Sequence, residues 1–94
     1  MILSKKLLKH KNITHCFLGM EGGRSKGIYK SLNCGRGSSD RKKDVIKNLK
    51  IACQKIGSTN KNLILLHQVH SNKFFFIKKI KYKAKLVGDA LITN

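Results

Sequence analysis

Residues 63–70 read Leu63-Ile64-Leu65-Leu66-His67-Gln68-Val69-His70, four aliphatic residues followed by a mostly polar end. Successive side chains of a β-strand point to opposite faces, so a strand here would place Gln68 and His70 on one face and His67 and Val69 on the other. Both faces are apolar over the first half, which is typical of a strand buried on both sides. The segment therefore predicts a buried strand that presents polar side chains at its end.

Further extended segments lie on both sides of this strand. Phe74 to Ile77 is a short β-prone apolar run, and Ala90 to Thr93 begins another. Between them, from Lys79 to Leu86, lysines alternate with apolar residues, which indicates a half-buried extended segment. Upstream, Ile13 to Leu18 predicts one more short strand.

A helix is predicted from Asp40 to Ile56, because apolar residues recur there at helical spacing. The apolar stripe consists of Val45, Leu49, Ala52, Cys53 and Ile56. Ser38, Ser39 and Asp40 are candidate N-cap residues, and Gly57 stands where a left-handed residue would close the last turn. The opposite face carries lysines and is expected to be solvated.

A glycine-rich loop is predicted between Gly19 and Ser39, because six glycines among polar residues are too many for a helix or a plain strand. Long ordered loops are often functional. The backbone amides of residues 22–27 could cradle a phosphate, with Arg24 and Lys26 as counter-charges. The residue order is not that of a Walker motif, and an ordered turn is the alternative interpretation.

The charge balance bears on possible partners. The chain has 21 basic and 4 acidic residues, a net charge of +17, which predicts attraction to anionic polymers. Only three of the cations are arginine and 18 are lysine, whereas specific nucleic-acid readers depend on arginine for bidentate contacts. We therefore expect no specific nucleic-acid partner, with a small basic RNA-binding module as the alternative.

Cysteine usage and hydropathy indicate the cellular setting. The three cysteines are odd in number and lack CxxC spacing, and lysines interrupt the N-terminus where a signal peptide would be apolar. No apolar stretch approaches the roughly 20 residues that cross a bilayer. We expect a cytoplasmic protein with no membrane partner, and 94 residues allow one domain at most.

The clearest candidates for chemistry are Gln68 and His70, an amide and an imidazole on one face of the predicted strand. A histidine there could bind a metal ion or transfer a proton. A hydrogen-bonded structural histidine is the alternative, and one histidine alone does not separate the two interpretations.

Several ordered sequence blocks resemble the laccase-domain family, also described as purine nucleoside phosphorylases and peptidoglycan editing factors. Gln68-Val69-His70 is similar to its Gln-Val-His triplet, and Asp89-Ala90-Leu91 with Thr93 to its Asp-Ala-Leu-x-Thr segment. The helix contributes Asp40, Val45 and Asn48. The opening signature is matched by His15-Cys16-Phe17, Gly22-Gly23, Ser25, Gly27, Tyr29, Ser31-Leu32-Asn33 and Gly35.

The resemblance implies a fold and an activity. The fold would be α+β, a mixed layered β-sheet with flanking helices, incomplete in these residues. The activity would be zinc-dependent phosphorolysis of the purine nucleosides adenosine, inosine and guanosine, and adenosine deamination stays open as a further activity. The partners would be a purine nucleoside and phosphate, whereas the oligomeric state stays open. Copper-dependent polyphenol oxidation, an older description of the family, is the alternative enzymatic function.

The resemblance also assigns site residues. His70 would be a metal ligand and catalytic residue with Gln68 beside it, and Arg24, Ser31 and Asn33 would contact substrate. The family's other two zinc ligands, a cysteine in an Asp-Cys motif and a second histidine, come later in the family's order than Asn94. We therefore expect residues 1–94 to be the N-terminal part of one domain, without its own activity.

Two positions depart from the family's pattern. Met20 stands where the family usually has an arginine before its Gly-Gly pair, and Leu49 follows Asn48 where the family usually has another arginine. The loss of two cations from an expected phosphate site puts phosphorolysis in question, although Arg24 could compensate in part.

Overall fold

The computed structural model describes residues 1–59, 63–78 and 86–93 and divides the chain into two compact units, Met1–Asn60 and Lys61–Asn94. Helix and strand both occur among these residues, in agreement with the α+β class. They form one α-helix and two small two-stranded sheets, so the predicted layered sheet with several helices is only partly represented. No helix in the described part of the chain combines the length and apolarity that a membrane span requires.

The first unit is built on helix α1, Lys42–Lys55. Val45, Asn48 and Cys53 are its buried residues, which confirms that one face of the predicted helix packs inward. The lysines of the opposite face, Lys42, Lys43, Lys47, Lys50 and Lys55, are all exposed as predicted.

The C-terminal end of α1 confirms the expected glycine cap. Gly57 has φ +78°, and its amide donates to the carbonyl of Gln54 at 3.0 Å, while the amide of Ser58 donates to the carbonyl of Cys53 at 2.9 Å. These two bonds form a Schellman motif, which satisfies carbonyl groups that the helix itself leaves unpaired.

The prediction for the N-terminal end of α1 was wrong. Arg41 is the N-cap residue and makes no side-chain cap hydrogen bond. The carboxylate of Asp40 instead accepts hydrogen bonds from the side chains of Ser25 and Asn33, and Ser38 donates its hydroxyl to the carbonyl of Gly35. These polar side chains organise the glycine-rich loop rather than the first turn of the helix.

The strand predicted over Ile13 to Leu18 is also not formed. An isolated antiparallel bridge joins Ile2 and Phe17 through two backbone hydrogen bonds of 2.9 Å, and a short 3-10 helix spans Leu7–Lys9. Phe17 is 61% exposed, so the apolar alternation that suggested a strand does not correspond to a buried face.

The second unit contains two parallel strand pairs. β1, Leu66–His67, pairs with β3, Leu86–Val87, and β2, Phe74–Ile77, pairs with β4, Ala90–Thr93. The bounds of β2 and β4 agree with the prediction.

The predicted strand over residues 63–70 shortens to the two residues of β1, and Leu63 is 37% exposed rather than buried. The predicted segment from Lys79 to Leu86 lies outside the described residues except for Leu86, which begins β3.

Candidate functional site

The histidine turn, residues 68–71, follows β1 and is held by one carboxylate. Oδ1 of Asp89 accepts hydrogen bonds from the amides of Val69 at 3.1 Å and His70 at 2.6 Å. Oδ2 of Asp89 accepts from the amide of Ser71 at 2.7 Å and from its hydroxyl at 2.5 Å. Three successive backbone amides and one hydroxyl therefore converge on a single side chain.

The backbone of His70 has an unusual conformation within this turn. Its φ is +56°, in the left-handed region, and His70 is the one non-glycine residue with positive φ in the described part of the chain. This conformation costs a non-glycine residue about 1 to 2 kcal/mol. Successive amides around a left-handed residue form an anion-binding concavity, and the Asp89 carboxylate occupies that concavity here.

Asp89 itself is fixed by the neighbouring strands. Its amide donates to the carbonyl of Lys73 at 3.0 Å, and the amide of Gly88 donates to the carbonyl of His67 at 3.0 Å. A Cβ at Gly88 would lie 3.0 Å from the ring of Phe75 and 3.3 Å from the Lys73 carbonyl oxygen, so the chain passes too closely there for a side chain to fit freely. Asp89 is therefore positioned by backbone hydrogen bonds to His67 of β1 and to Lys73 beside β2, and not by its own loop alone.

The hydrogen bonds also favour the ionised form of Asp89. Donation from the Ser71 hydroxyl is the main cause that lowers the pKa of this carboxyl, and the backbone amides of residues 69–71 lower it further. Asp89 is therefore ionised at neutral pH and acts only as an acceptor. Gln68 and His70 are both exposed, so the imidazole is accessible on a turn whose backbone is held.

The glycine-rich loop of the first unit is organised by Asn48, which is 0% exposed. Its Oδ1 accepts from the amide of Arg24 at 2.7 Å, and its Nδ2 donates to the Ser25 hydroxyl and to the Asn33 carbonyl, each at 2.8 Å. One helix side chain thus connects two distant parts of the loop.

The three residues predicted to contact substrate lie in this loop with different roles. Arg24 is exposed. The Ser31 hydroxyl donates to the Met20 carbonyl at 2.7 Å and accepts from the Gly23 amide at 3.1 Å. The Asn33 side chain donates to Ser38 and Asp40 and accepts from the Gly35 amide. Ser31 and Asn33 therefore hold the loop together, and Arg24 is the member of the three that a solvent anion can reach.

Acid is expected to weaken this loop through Asp40. Its hydrogen bond from Ser25 is the main cause that lowers the pKa of the Asp40 carboxyl. The folded-state pKa then lies below the unfolded value of about 4. The contribution of Asp40 to stability is complete above the unfolded value and is lost as the pH falls through the folded one.

Thermal unfolding followed by circular dichroism checks this expectation. The Tm difference between the wild type and the Asp40→Asn variant should stay constant from neutral pH down to about pH 4 and then shrink. Glu21→Gln, which removes an exposed carboxylate, should reproduce the wild-type profile. A constant Tm difference between the wild type and Asp40→Asn across the whole range would contradict this role.

An apolar cleft of about 280 Å³ in the first unit is a further concave feature. Leu3, Leu8, Ile13 and Ile56 line it together with His15. Nε2 of His15 accepts from the amide of Ser4 at 2.7 Å, so this histidine has a structural partner. The cleft lacks the several convergent polar groups that mark most ligand sites.

The described residues do not bring three potential metal ligands together. Cys16, Cys34 and Cys53 are free thiols of the first unit. Burial is the main cause that raises the pKa of the Cys34 thiol, which makes its thiolate harder to form. His70 is an exposed imidazole and fits the part of a single ligand, whereas a catalytic zinc normally has three protein ligands.

The residue patterns alone did not reveal which side chains hold the loop and the turn in place. These are Asp89, Ser71 and Asn48. Asp89 and Asn48 stood out only within the matched blocks, and the carboxylate that follows Gly88 before a strand was the one available signal for Asp89.

Comparison with known proteins identifies the family. Residues 14–94 match the family described as multi-copper polyphenol oxidoreductase laccase, which covers far more than half of the chain. A search of curated proteins gave no match. The matched region contains α1, the glycine-rich loop, the histidine turn and Asp89. The chain therefore belongs to the multi-copper polyphenol oxidoreductase laccase family.

Proposed function

We propose that this chain contributes His70 as a metal ligand to a zinc-dependent purine nucleoside phosphorylase. The observation that carries the proposal is the exposed imidazole of the Gln-Val-His triplet on a turn fixed by Asp89. An accessible imidazole is a common ligand for zinc.

The residues of the chain would have distinct tasks in this function. Bound zinc would supply a Lewis acid or a water molecule of lowered pKa. His70 would bind zinc through a neutral ring nitrogen, and the Gln68 amide can donate or accept a hydrogen bond beside it. Arg24 offers an exposed guanidinium, a good partner for phosphate, and it is more important here because Met20 and Leu49 are not cationic.

The 94-residue chain by itself is expected to show no phosphorolysis. The described residues supply one ligand of the three that a catalytic zinc needs, and one imidazole binds the ion weakly without fixing its geometry. Release of hypoxanthine from inosine in phosphate should equal that of the His70→Ala variant of the same chain. Turnover clearly above that variant would contradict the expectation.

The proposed activity is tested on the protein expressed from the reading frame that encodes these residues. It should release hypoxanthine from inosine only when phosphate is present, and His70→Ala should lower kcat/KM by at least about 100-fold. His67→Ala is the matched control, because it removes an exposed histidine three positions earlier and should leave the rate unchanged. Inosine turnover that is indifferent to phosphate or to His70→Ala would overturn the proposal.

Copper-dependent polyphenol oxidation is the second candidate, favoured by the description of the matching family. An exposed imidazole accepts copper as well as zinc, and copper binds more tightly wherever it is free. Oxygen uptake with a catechol and copper, sensitive to His70→Ala and absent with zinc, would favour this candidate over phosphorolysis.

A further inference from the structure

We propose that Asp89 is the positioning residue for His70, and that its carboxylate holds the turn from which the imidazole would bind a metal ion. The inference rests on the proposed function, because it gives His70 a ligand to bind. Asp89 lies nineteen positions after His70 and does not need to touch the metal itself.

The donors at Asp89 leave little freedom to the turn. Both carboxylate oxygens are used, one by the amides of Val69 and His70 and the other by the amide and hydroxyl of Ser71. Each donor comes from the backbone or side chain immediately around His70. A rotation of the turn that redirects the His70 side chain would break several of these bonds together.

The left-handed backbone conformation of His70 makes the hydrogen bonds to Asp89 important for the direction of its side chain. At φ +56° the Cα–Cβ bond of His70 leaves the chain in a different direction than it would at negative φ. A non-glycine residue relaxes from this conformation unless its surroundings hold it there. The Asp89 carboxylate supplies the negatively charged acceptor for the three converging amides.

A carboxylate is required, and an amide of the same shape is not equivalent. Asparagine at position 89 would keep one acceptor oxygen and place an NH₂ group against either the Ser71 donors or the Val69 and His70 amides. Donors would then face donors on one side of the turn. Asp89→Asn is therefore the sharpest test, because it changes hydrogen bonding with almost no change in volume.

The experiment uses NMR at low salt on the protein expressed from the reading frame that encodes these residues, prepared without metal, with inorganic Zn²⁺ as the probe. Amide hydrogen exchange is measured for residues 69–71, and Zn²⁺ is titrated while the ring signals of His70 are followed. In Asp89→Asn the three amides should exchange about tenfold faster, as expected for a local opening. The zinc concentration that half-shifts the His70 signals should rise about tenfold. Glu21→Gln, with the same change in charge, should match the wild type in both measurements.

Other outcomes separate the two proposals. Unchanged exchange of the three amides, or faster exchange with unchanged zinc binding at His70, would overturn the positioning role and leave the proposed function standing. Absence of any zinc response at His70 in the unsubstituted protein would overturn the proposed function and the positioning role with it.

Should Asp89→Asn fail to fold, Ser71→Ala decides the question, because it removes one of the four donors to Asp89 and otherwise only the acceptor of the Lys73 amide at 3.2 Å. That variant should exchange the same amides about fivefold faster and weaken the zinc response at His70 in the same direction. Exchange and zinc binding equal to the wild type would overturn the positioning role.

Discussion

Asn48→Ala is expected to lower the free energy of unfolding by about 2 to 4 kcal/mol, because a single side chain satisfies three polar groups of the glycine-rich loop. The side chain is fully buried and pairs with the Arg24 amide, the Ser25 hydroxyl and the Asn33 carbonyl. Alanine removes their shared partner and leaves these groups without the three hydrogen bonds that Asn48 makes. Urea unfolding followed by circular dichroism measures the difference.

Two further variants accompany this measurement, one as a control and one as a second test of the Asn48 hydrogen bonds. Gln54→Ala removes an exposed amide from the same helix and should change stability by less than about 0.5 kcal/mol. Asn48→Asp keeps an acceptor for the Arg24 amide but loses the two donated bonds, so it should also destabilise strongly. Equal midpoints for Asn48→Ala and Gln54→Ala would show that Asn48 does not organise the loop.

Gly23→Ala is expected to destabilise the first unit by about 3 kcal/mol or more. A Cβ at Gly23 would lie 2.0 Å from the carbonyl oxygen of Ser31 and 2.5 Å from Cα of Leu32. Both neighbours are backbone atoms, so no side-chain rotation can relieve the overlap. The hydrogen bonds that Gly23 and Ser25 make to Ser31 would have to lengthen or break.

Gly37→Ala is the matched control in the same loop. A Cβ there meets no atom within 4 Å, and Gly37 does not have positive φ. Its unfolding midpoint should stay close to that of the wild type, whereas that of Gly23→Ala should fall. Similar midpoints for the two variants would mean that the close approach of residues 23 and 31 does not exist in solution.

Elements with strong local patterns could be predicted from the sequence. The apolar stripe of α1 and the C-terminal Gly57 are local signals, and the compact apolar runs of β2 and β4 gave their bounds directly. The prediction of a strand over Ile13 to Leu18 was wrong, because the alternation of apolar and polar residues there is equally compatible with an exposed chain that makes a single bridge to Ile2.

The interactions that define the candidate site are long-range and leave no local pattern. Asn48 meets Arg24 across 24 positions, and Asp89 meets His70 across 19. The sequence does not show whether a polar residue on a predicted helix or before a strand will be exposed, or buried with several hydrogen bonds to distant residues. Periodicity drew attention to His70 but placed it on a strand, whereas it lies in the turn after β1, and the pattern could not show which residues hold that turn.

Hydrogen bonds in the structure join the sequence blocks that carry the family resemblance. Asp89 opens the Asp-Ala-Leu block and binds the backbone of the Gln-Val-His block. Asp40 and Asn48, in the helical block, bind Ser25 and Asn33 of the glycine-rich loop. Blocks that are separate in sequence are thus joined by buried or multiply bonded polar side chains.

Metal content tests the central claim, that His70 is a metal ligand, most directly. The protein expressed from the reading frame that encodes these residues is purified as wild type, His70→Ala and His67→Ala, and its metals are quantified by mass spectrometry. We expect about one zinc per chain in the wild type and in His67→Ala, and a loss of most zinc from His70→Ala. Full zinc occupancy in His70→Ala would contradict the account.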